Sequence, residues 1–279
     1  MEMLRFSTTL KSSEITSVAI GGFDGMHKGH MELVKKLDEN GVLLVIGKKN
    51  SNLTPNGFRC RYVKNGCIFL ELDSIKHLTK DEFIEFLKRS FPSLKRVVVG
   101  YDFRFGKNRE GNSESLSKEF EVVKVSEVKV DGISVHANVI REALKKDIKL
   151  ANRLLGREYE VFATSVKGQG IGAKELVPTI NLKTTFLLPK SGVYATKTKV
   201  SGSYHNSISF IGHRKTTDGE FAFETHLLDV SLDYLPKSVE VKFYDYIREN
   251  RKFNNLYELK KQIKKDINGY FTDEIVAKF

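Results

Sequence analysis

Ser17-Val18-Ala19-Ile20-Gly21-Gly22-Phe23-Asp24-Gly25-Met26-His27-Lys28-Gly29-His30 decides how the first half of this chain folds. An apolar strand runs into a glycine-rich turn, and a helix then opens with two histidines three residues apart. Backbone N–H groups at a helix N-terminus point outward unpaired, and the helix dipole adds partial positive charge there. Glycines let such a backbone approach a ligand closely. Imidazoles in the first turn donate hydrogen bonds to phosphate oxygens. The stretch therefore reads as a phosphate-binding turn. A purely geometric strand–helix turn is the plainer alternative, but four glycines, an Asp and two His exceed what a tight turn needs.

Composition narrows the classes without choosing among them. A chain of 279 residues accommodates two ordinary domains, and 40% hydrophobic residues support real cores. No apolar run of about 18 residues is present to span a membrane, and residues 1–10 do not read as a signal peptide. Cys60 and Cys67 are too few for a disulfide framework or a zinc site and are expected as reduced thiols in the cytoplasm. The net charge of +11 is spread over both halves, with no basic tail. It suits nucleic acid and polyanionic small ligands such as ATP equally, so motifs must break the tie.

The first half alternates strands and helices. Strands are expected at 16–20, 42–46, 67–72, 96–99 and 121–125, with helices at 28–38, 81–90 and 113–119. Thr79 and Glu82 form a capping box before the second helix. Strands separated by helices predict a parallel sheet, with ligands beyond its carboxyl ends. Helices at 137–145 and 147–155 follow, and Gly156 sits where a C-cap is expected. The domain boundary is placed there, giving domains 1–156 and 157–279. The second half is β-rich, with strands at 159–166, 192–200, 207–211, 221–228 and 238–246, which predicts an antiparallel barrel or sandwich. An amphipathic helix at 255–267 carries Leu256, Leu259, Ile263 and Ile267 on one stripe.

A second phosphate-type signal, Gly100-Tyr-Asp102-Phe-Arg104-Phe-Gly106-Lys107, follows the apolar run Val97-Val98-Val99. Phe103 and Phe105 read as core, whereas Asp102, Arg104 and the glycines point to a ligand. Two other matches fail. Gly168-x-Gly170-x-x-Ala173 fits a dinucleotide fingerprint on paper, but Pro178 cuts off any following helix. Gly41 to Lys48 has the wrong spacing for a Walker loop.

The H-x-G-H spacing of His27 and His30 resembles that of nucleotidylyltransferases. Taken in order, G-x-F-D-G-x-H-x-G-H, then D-F-R-F-G, then Ile140-Arg141, then P-T-x-N and E-x-H-L-L-D, the whole chain resembles the bacterial bifunctional riboflavin kinase/FAD synthetase family. The resemblance implies an α/β + β protein: an N-terminal Rossmann-like nucleotidylyltransferase domain, a C-terminal six-stranded antiparallel riboflavin kinase β-barrel and a C-terminal helix. It implies phosphorylation of riboflavin to FMN by ATP, then transfer of AMP from ATP to FMN, giving FAD and pyrophosphate. The implied partners are riboflavin, FMN and ATP, with Mg²⁺ as cofactor and neither membrane nor nucleic acid.

The residues carried over are as follows in chain order. His27 and His30 act on the ATP phosphates, with Gly21, Phe23, Asp24, Gly25, Gly29, Asp102, Arg104, Gly106, Asn138 and Arg141 around the nucleotide. In the second half, Gly168, Gly170 and Gly172 form a loop for ATP phosphates. Thr179 and Asn181 offer hard oxygens for Mg²⁺ and phosphate. Glu224 is the general base, and Arg248 lies near the flavin. His226 is read as structural and as lying on the opposite strand face from Glu224. The chain also departs from the family pattern. A run of hydroxyl residues is replaced by His136-Ala137-Asn138-Val139, a P-H-P element is absent, Gly22 replaces a small polar residue, and Ala173 and Leu176 replace Arg and Gly. Two alternatives follow: a monofunctional riboflavin kinase with a degenerate first domain, and a basic nucleic-acid-binding module.

Overall fold

The structure is a computed structural model that describes residues 4–47, 51–167, 178–228, 230, 232 and 234–271. Backbone proximity divides the chain into two compact units, Met1–Val139 and Ile140–Phe279. Gly156, where the boundary was expected, thus lies inside the second unit.

In the first unit, β2 (Ser17–Gly21), β3 (Gly41–Gly47), β4 (Cys67–Glu71), β5 (Arg96–Gly100) and β6 (Glu121–Val125) are parallel, and β1 (Leu4–Ser7) adds an antiparallel edge. The order is β1-β4-β3-β2-β5-β6. Alternate residues of each strand enter different cores. Val18, Ile20, Val42, Leu44, Val97 and Val99 pack with Phe83, Ile84 and Leu87 of α3 (Lys80–Ser90). Ala19, Leu43, Val45 and Val98 pack with Leu33 of α1 (Lys28–Val34) on the other face. Burial on both faces is why these strands read as continuous apolar runs. The chain leaves β2 toward β3 and β4 on one side and toward β5 and β6 on the other, so the order reverses between β2 and β5. That is the switch point where open α/β sheets bind ligands.

Several elements depart from expectation. The first helix ends at Val34, short of Asp38, because Asp38 Oδ1 accepts from the Thr16 and Ser17 hydroxyls at 2.8 and 2.9 Å, tying the chain to β2. The capping box forms as read: the Glu82 N–H donates to Thr79 Oγ1 at 3.2 Å and the Thr79 N–H to Glu82 Oε2 at 2.8 Å. The edge strand β1, the one-turn helix α2 (Leu72–Ile75) and the hairpin β7 (Lys129–Val130)–β8 (Ile133–Ser134) were not anticipated, being too short to carry periodicity. Helix α4 spans only Ser113–Leu116.

In the second unit, α6 (Ile148–Leu155) ends at Gly156, whose φ of 80° is the left-handed cap. Asn152 Nδ2 donates to the Phe243 carbonyl at 2.8 Å, tying α6 to the barrel. The barrel closes in the order β10-β13-β12-β11-β14-β9, all neighbours antiparallel. Its strands are β9 (Tyr159–Val166), β10 (Ile180–Lys183), β11 (Gly192–Val200), β12 (Ser203–His213), β13 (Phe221–Leu227) and β14 (Ser238–Arg248). Closure removes sheet edges. β10 was missed, since four residues after a proline give little alternation to read.

The barrel interior has two halves. One is aromatic: Tyr194 stacks edge-on to Phe243 at 5.3 Å, with Tyr159 and Phe223 beside it. The other is a network of buried hydroxyls, in which Thr196 meets Ser207 and Ser209, and Thr225 meets Thr198 and Ser209, all at 2.8–3.0 Å. Each hydroxyl finds partners inside, which removes the cost of burying it. Helix α7 (Leu256–Tyr270) packs outside the barrel, with Ile263 and Ile267 against Val193, Ile208 and Phe210.

Candidate functional site

In the first unit, the two expected phosphate motifs follow β2 and β5, the strands that flank the switch point. Their register, Val18↔Val97 and Ala19↔Val98, brings the Gly21 and Gly100 ends out side by side. After β2 the backbone enters the left-handed region at Phe23 (φ 50°), Gly25 (φ 90°) and Met26 (φ 41°). Phe23 and Met26 pay for this strain by complete burial of their side chains. Asp24 is also buried: it accepts from the Thr54 N–H at 2.9 Å and lies 3.6 Å from the Arg59 guanidinium, whose pKa burial pushes down. Asp24 therefore braces the turn from below. Arg59, which the sequence reading missed, has only a basic 3-10 segment (Asn56–Tyr62) as its signal.

His27 caps α1, its Nδ1 accepting from the His30 N–H at 3.3 Å. In a neutral imidazole whose Nδ1 accepts, the proton sits on Nε2. The two imidazoles stack with centroids 3.6 Å apart. A Cβ on Gly29 would stand 3.2 Å from the His27 ring, so glycine lets that ring lie on the helix backbone. The same Cβ position is 3.7 Å from the Val135 carbonyl, so that carbonyl lies at the first turn of α1. The next residue, His136, meets Tyr101 Oη of the second motif through Nε2 at 3.2 Å. Asp102 and Arg104 are exposed, while Phe103 and Phe105 join the core as read. Gly106 takes φ 75° against the backbone of Lys80. Asn138 and Arg141 stand one turn apart on α5 (Ala137–Leu144), and the division between units falls between them.

In the second unit the site is set by register. Asn181 of β10 pairs directly with Glu224 of β13, and Phe210 of β12 flanks Glu224 on the other side. Because Ile180 and Thr225 are interior, Asn181 and Glu224 face outward together. Thr179 lies two residues before Asn181 and is half-buried. His226 shares the outer face with Glu224, contrary to the expected opposite face, because residues two apart in a strand point the same way. It is buried, with Nδ1 2.6 Å from the Pro178 carbonyl, which fits the structural role.

Arg214 was not singled out in the sequence, yet its Nη1 donates to Glu224 Oε1 at 2.9 Å. Its Nε and Nη2 donate to the two oxygens of Asp218 at 3.0 and 2.7 Å. Arg248 donates from Nε to Asp266 of α7 at 2.8 Å, so it fastens the helix to the end of β14. The following segment is tied to the β12–β13 loop: Asn250 Nδ2 donates to the His213 carbonyl and the Phe253 N–H to Thr216 Oγ1. Gly168, Gly170 and Gly172 lie outside the described residues. Among the described residues no group of three His, Cys, Asp or Glu could hold a metal, and no helix is long and apolar enough to cross a membrane.

A family model for riboflavin kinase matches residues 155–271, and one for FAD synthetase matches residues 47–143. The bifunctional riboflavin kinase/FMN adenylyltransferase of Buchnera aphidicola subsp. Acyrthosiphon pisum is 31% identical over 96% of this chain and 96% of its own length. The Escherichia coli K12 protein of the same name is 30% identical over 89% and 90%. A solved structure described as a macrolide-efflux protein from Streptococcus pneumoniae has a TM-score of 0.82 over 95% of this chain and 97% of that one. At 24% identity that likeness is one of fold. Motif order, barrel register and full-length similarity agree: the chain belongs to the bifunctional riboflavin kinase/FMN adenylyltransferase family.

Proposed function

We propose that this protein phosphorylates riboflavin to FMN with ATP in its second unit and adenylylates FMN to FAD in its first, in the cytoplasm. The observation that carries the kinase reading is the direct pairing of Asn181 with Glu224 on the barrel's outer face. In that reaction the ribityl 5′-hydroxyl oxygen bonds to the γ-phosphorus of ATP, the bond to the β–γ bridging oxygen breaks, and ADP leaves. Glu224 takes the hydroxyl proton. Phe210, with Ile247 and Ile263 in one apolar cluster, offers a surface for the flavin ring beside that carboxylate. The role of Arg248 toward the flavin rests on its place at the end of β14, where Asp266 holds it.

The donor set fits a Mg²⁺ ion. Thr179 and Asn181 supply neutral oxygens on one outward edge, which suits an ion held chiefly by nucleotide phosphates rather than by a protein cage. Bound there, Mg²⁺ neutralises charge on the phosphates as they are transferred.

In the first unit an FMN phosphate oxygen attacks the α-phosphorus of the second ATP and pyrophosphate leaves. The nucleophile is already ionised, so no protein base is needed. His27 and His30, with the backbone of the turn, stabilise the charge gathering on the phosphates. Arg104 and Asp102, one loop away across the switch point, frame the nucleotide. In place of the family's hydroxyl run, Asn138 offers a side-chain amide to the nucleotide from the start of α5.

One assay tests both halves: riboflavin or FMN with ATP and Mg²⁺, the products resolved by chromatography. Glu224→Gln lowers FMN formation by about 10²–10⁴-fold and leaves FMN-to-FAD conversion intact. His30→Ala does the reverse. Full kinase rate in the first variant, or full FAD output in the second, refutes the corresponding assignment.

A further inference from the structure

We propose that Arg214 is a positioning residue for riboflavin phosphorylation, fixing which oxygen of Glu224 receives the substrate proton. The inference deepens the kinase reading and rests on Glu224 being the base. Arg214 follows the last residue of β12 and is held at its own backbone. Its N–H donates to the Glu220 carbonyl at 2.9 Å, and its carbonyl accepts from the Thr217 and Gly219 N–H groups at 3.1 Å each. Its guanidinium is then engaged on three nitrogens: Nε and Nη2 by Asp218, and Nη1 by Glu224 Oε1. All three side chains are about one-fifth exposed, at 22%, 20% and 18% for Arg214, Asp218 and Glu224. A planar guanidinium clamped on one edge by a bidentate carboxylate has no freedom to swing, so its third contact fixes the Glu224 rotamer.

The consequence concerns geometry and charge together. Oε1 of Glu224 is occupied, whereas among the described residues no hydrogen bond reaches Oε2. The carboxylate therefore presents Oε2 as its acceptor, on the outer face it shares with Asn181. Asp218 also changes the electrostatics. Arg214 paired with Glu224 alone would be a neutral couple. With Asp218 the trio carries one net negative charge, and the proton taken from the ribityl hydroxyl discharges it. On this account Asp218 both orients the arginine and preserves the anionic character of the base.

The test is a mutant cycle on the full-length enzyme with riboflavin, ATP and Mg²⁺, reading kcat and KM separately. Arg214→Gln lowers kcat for FMN formation by about 10- to 100-fold, the scale of losing a residue that orients a reacting group, with both KM values within about twofold. Arg214→Lys, which restores the charge but not the fork, recovers part of that loss. Added to Glu224→Gln, Arg214→Gln costs nothing beyond about twofold. Unchanged kcat in Arg214→Gln, a raised ATP KM at unchanged kcat, or losses that multiply in the double variant would each overturn the positioning role. Should Arg214→Gln not fold, Asp218→Asn replaces it: a lower kcat at unchanged KM supports the role and a wild-type kcat overturns it. Full kinase activity in Glu224→Gln removes the base reading itself, a result distinct from an inert Arg214.

Discussion

Glu224 and His226 sit two residues apart on the same face of one strand, yet their surroundings assign them different work. Glu224 is partly exposed and held by a guanidinium, the setting of the proposed base. His226 is buried against the Pro178 carbonyl, and burial pushes its pKa below the usual imidazole value, the carbonyl contact opposing this in part. The sign for stability follows. Below about pH 6.5 the unfolded chain protonates this histidine while the folded chain resists. The contribution is thus intact above the unfolded value and is lost as pH falls through the folded one. Thermal melts at pH 7 and pH 5 are expected to show a larger fall in Tm for the wild type than for His226→Gln. Equal falls would remove His226 as the acid-sensitive group.

At the scale of elements, two glycines in the loops after β2 and β5 make opposite demands. Gly106 ends the D-F-R-F-G turn at φ 75°, and a Cβ there would stand 2.9 Å from the Lys80 backbone nitrogen. Neither the dihedral nor the rigid backbone can yield cheaply. Gly106→Ala is therefore expected to destabilise the first unit by about 1–3 kcal/mol, read as a lower denaturation midpoint, with weaker FAD formation. Gly22 lacks both constraints: its added Cβ meets nothing nearer than the Ile46 carbonyl at 4.0 Å. Gly22→Ser should shift stability by no more than about 0.5 kcal/mol, the range for unconstrained positions. Equal costs at the two glycines would show that the loop conformation is not what requires Gly106. Here the family's small polar residue and this chain's glycine are sterically interchangeable.

At the scale of the molecule, each unit has its own core and matches its own family model, FAD synthetase at 47–143 and riboflavin kinase at 155–271. The parallel sheet buries two faces of its strands, and the barrel fills itself with rings and hydroxyls. FMN made in one unit is the substrate of the other, so the activities are separable if FMN is released. Mixing His30→Ala protein with Glu224→Gln protein should restore FAD formation from riboflavin, which neither variant achieves alone at the wild-type rate. Failure of the mixture, with each variant keeping its own half-reaction, would mean that FMN passes only within one molecule.

The sequence by itself determined what is local and chemical: the apolar strand runs, the Thr79 capping box, the Gly156 cap, the histidine pair and the order of motifs along the chain. These survive because backbone propensity and side-chain chemistry act over a few residues. Short elements such as β1 and β10 escaped notice, for four residues hold too little pattern to separate strand from loop. Only the tertiary structure decided which distant residues meet. Parallel register set the His27 and Asp102 loops on adjacent strand ends, and antiparallel register set Asn181 opposite Glu224. It also turned Asp24 inward onto Arg59 and clamped Arg214 between two carboxylates. A strand's residues alternate between faces, but which neighbour each face receives is set by hydrogen-bond register across the sheet. No single stretch of this chain contains that information.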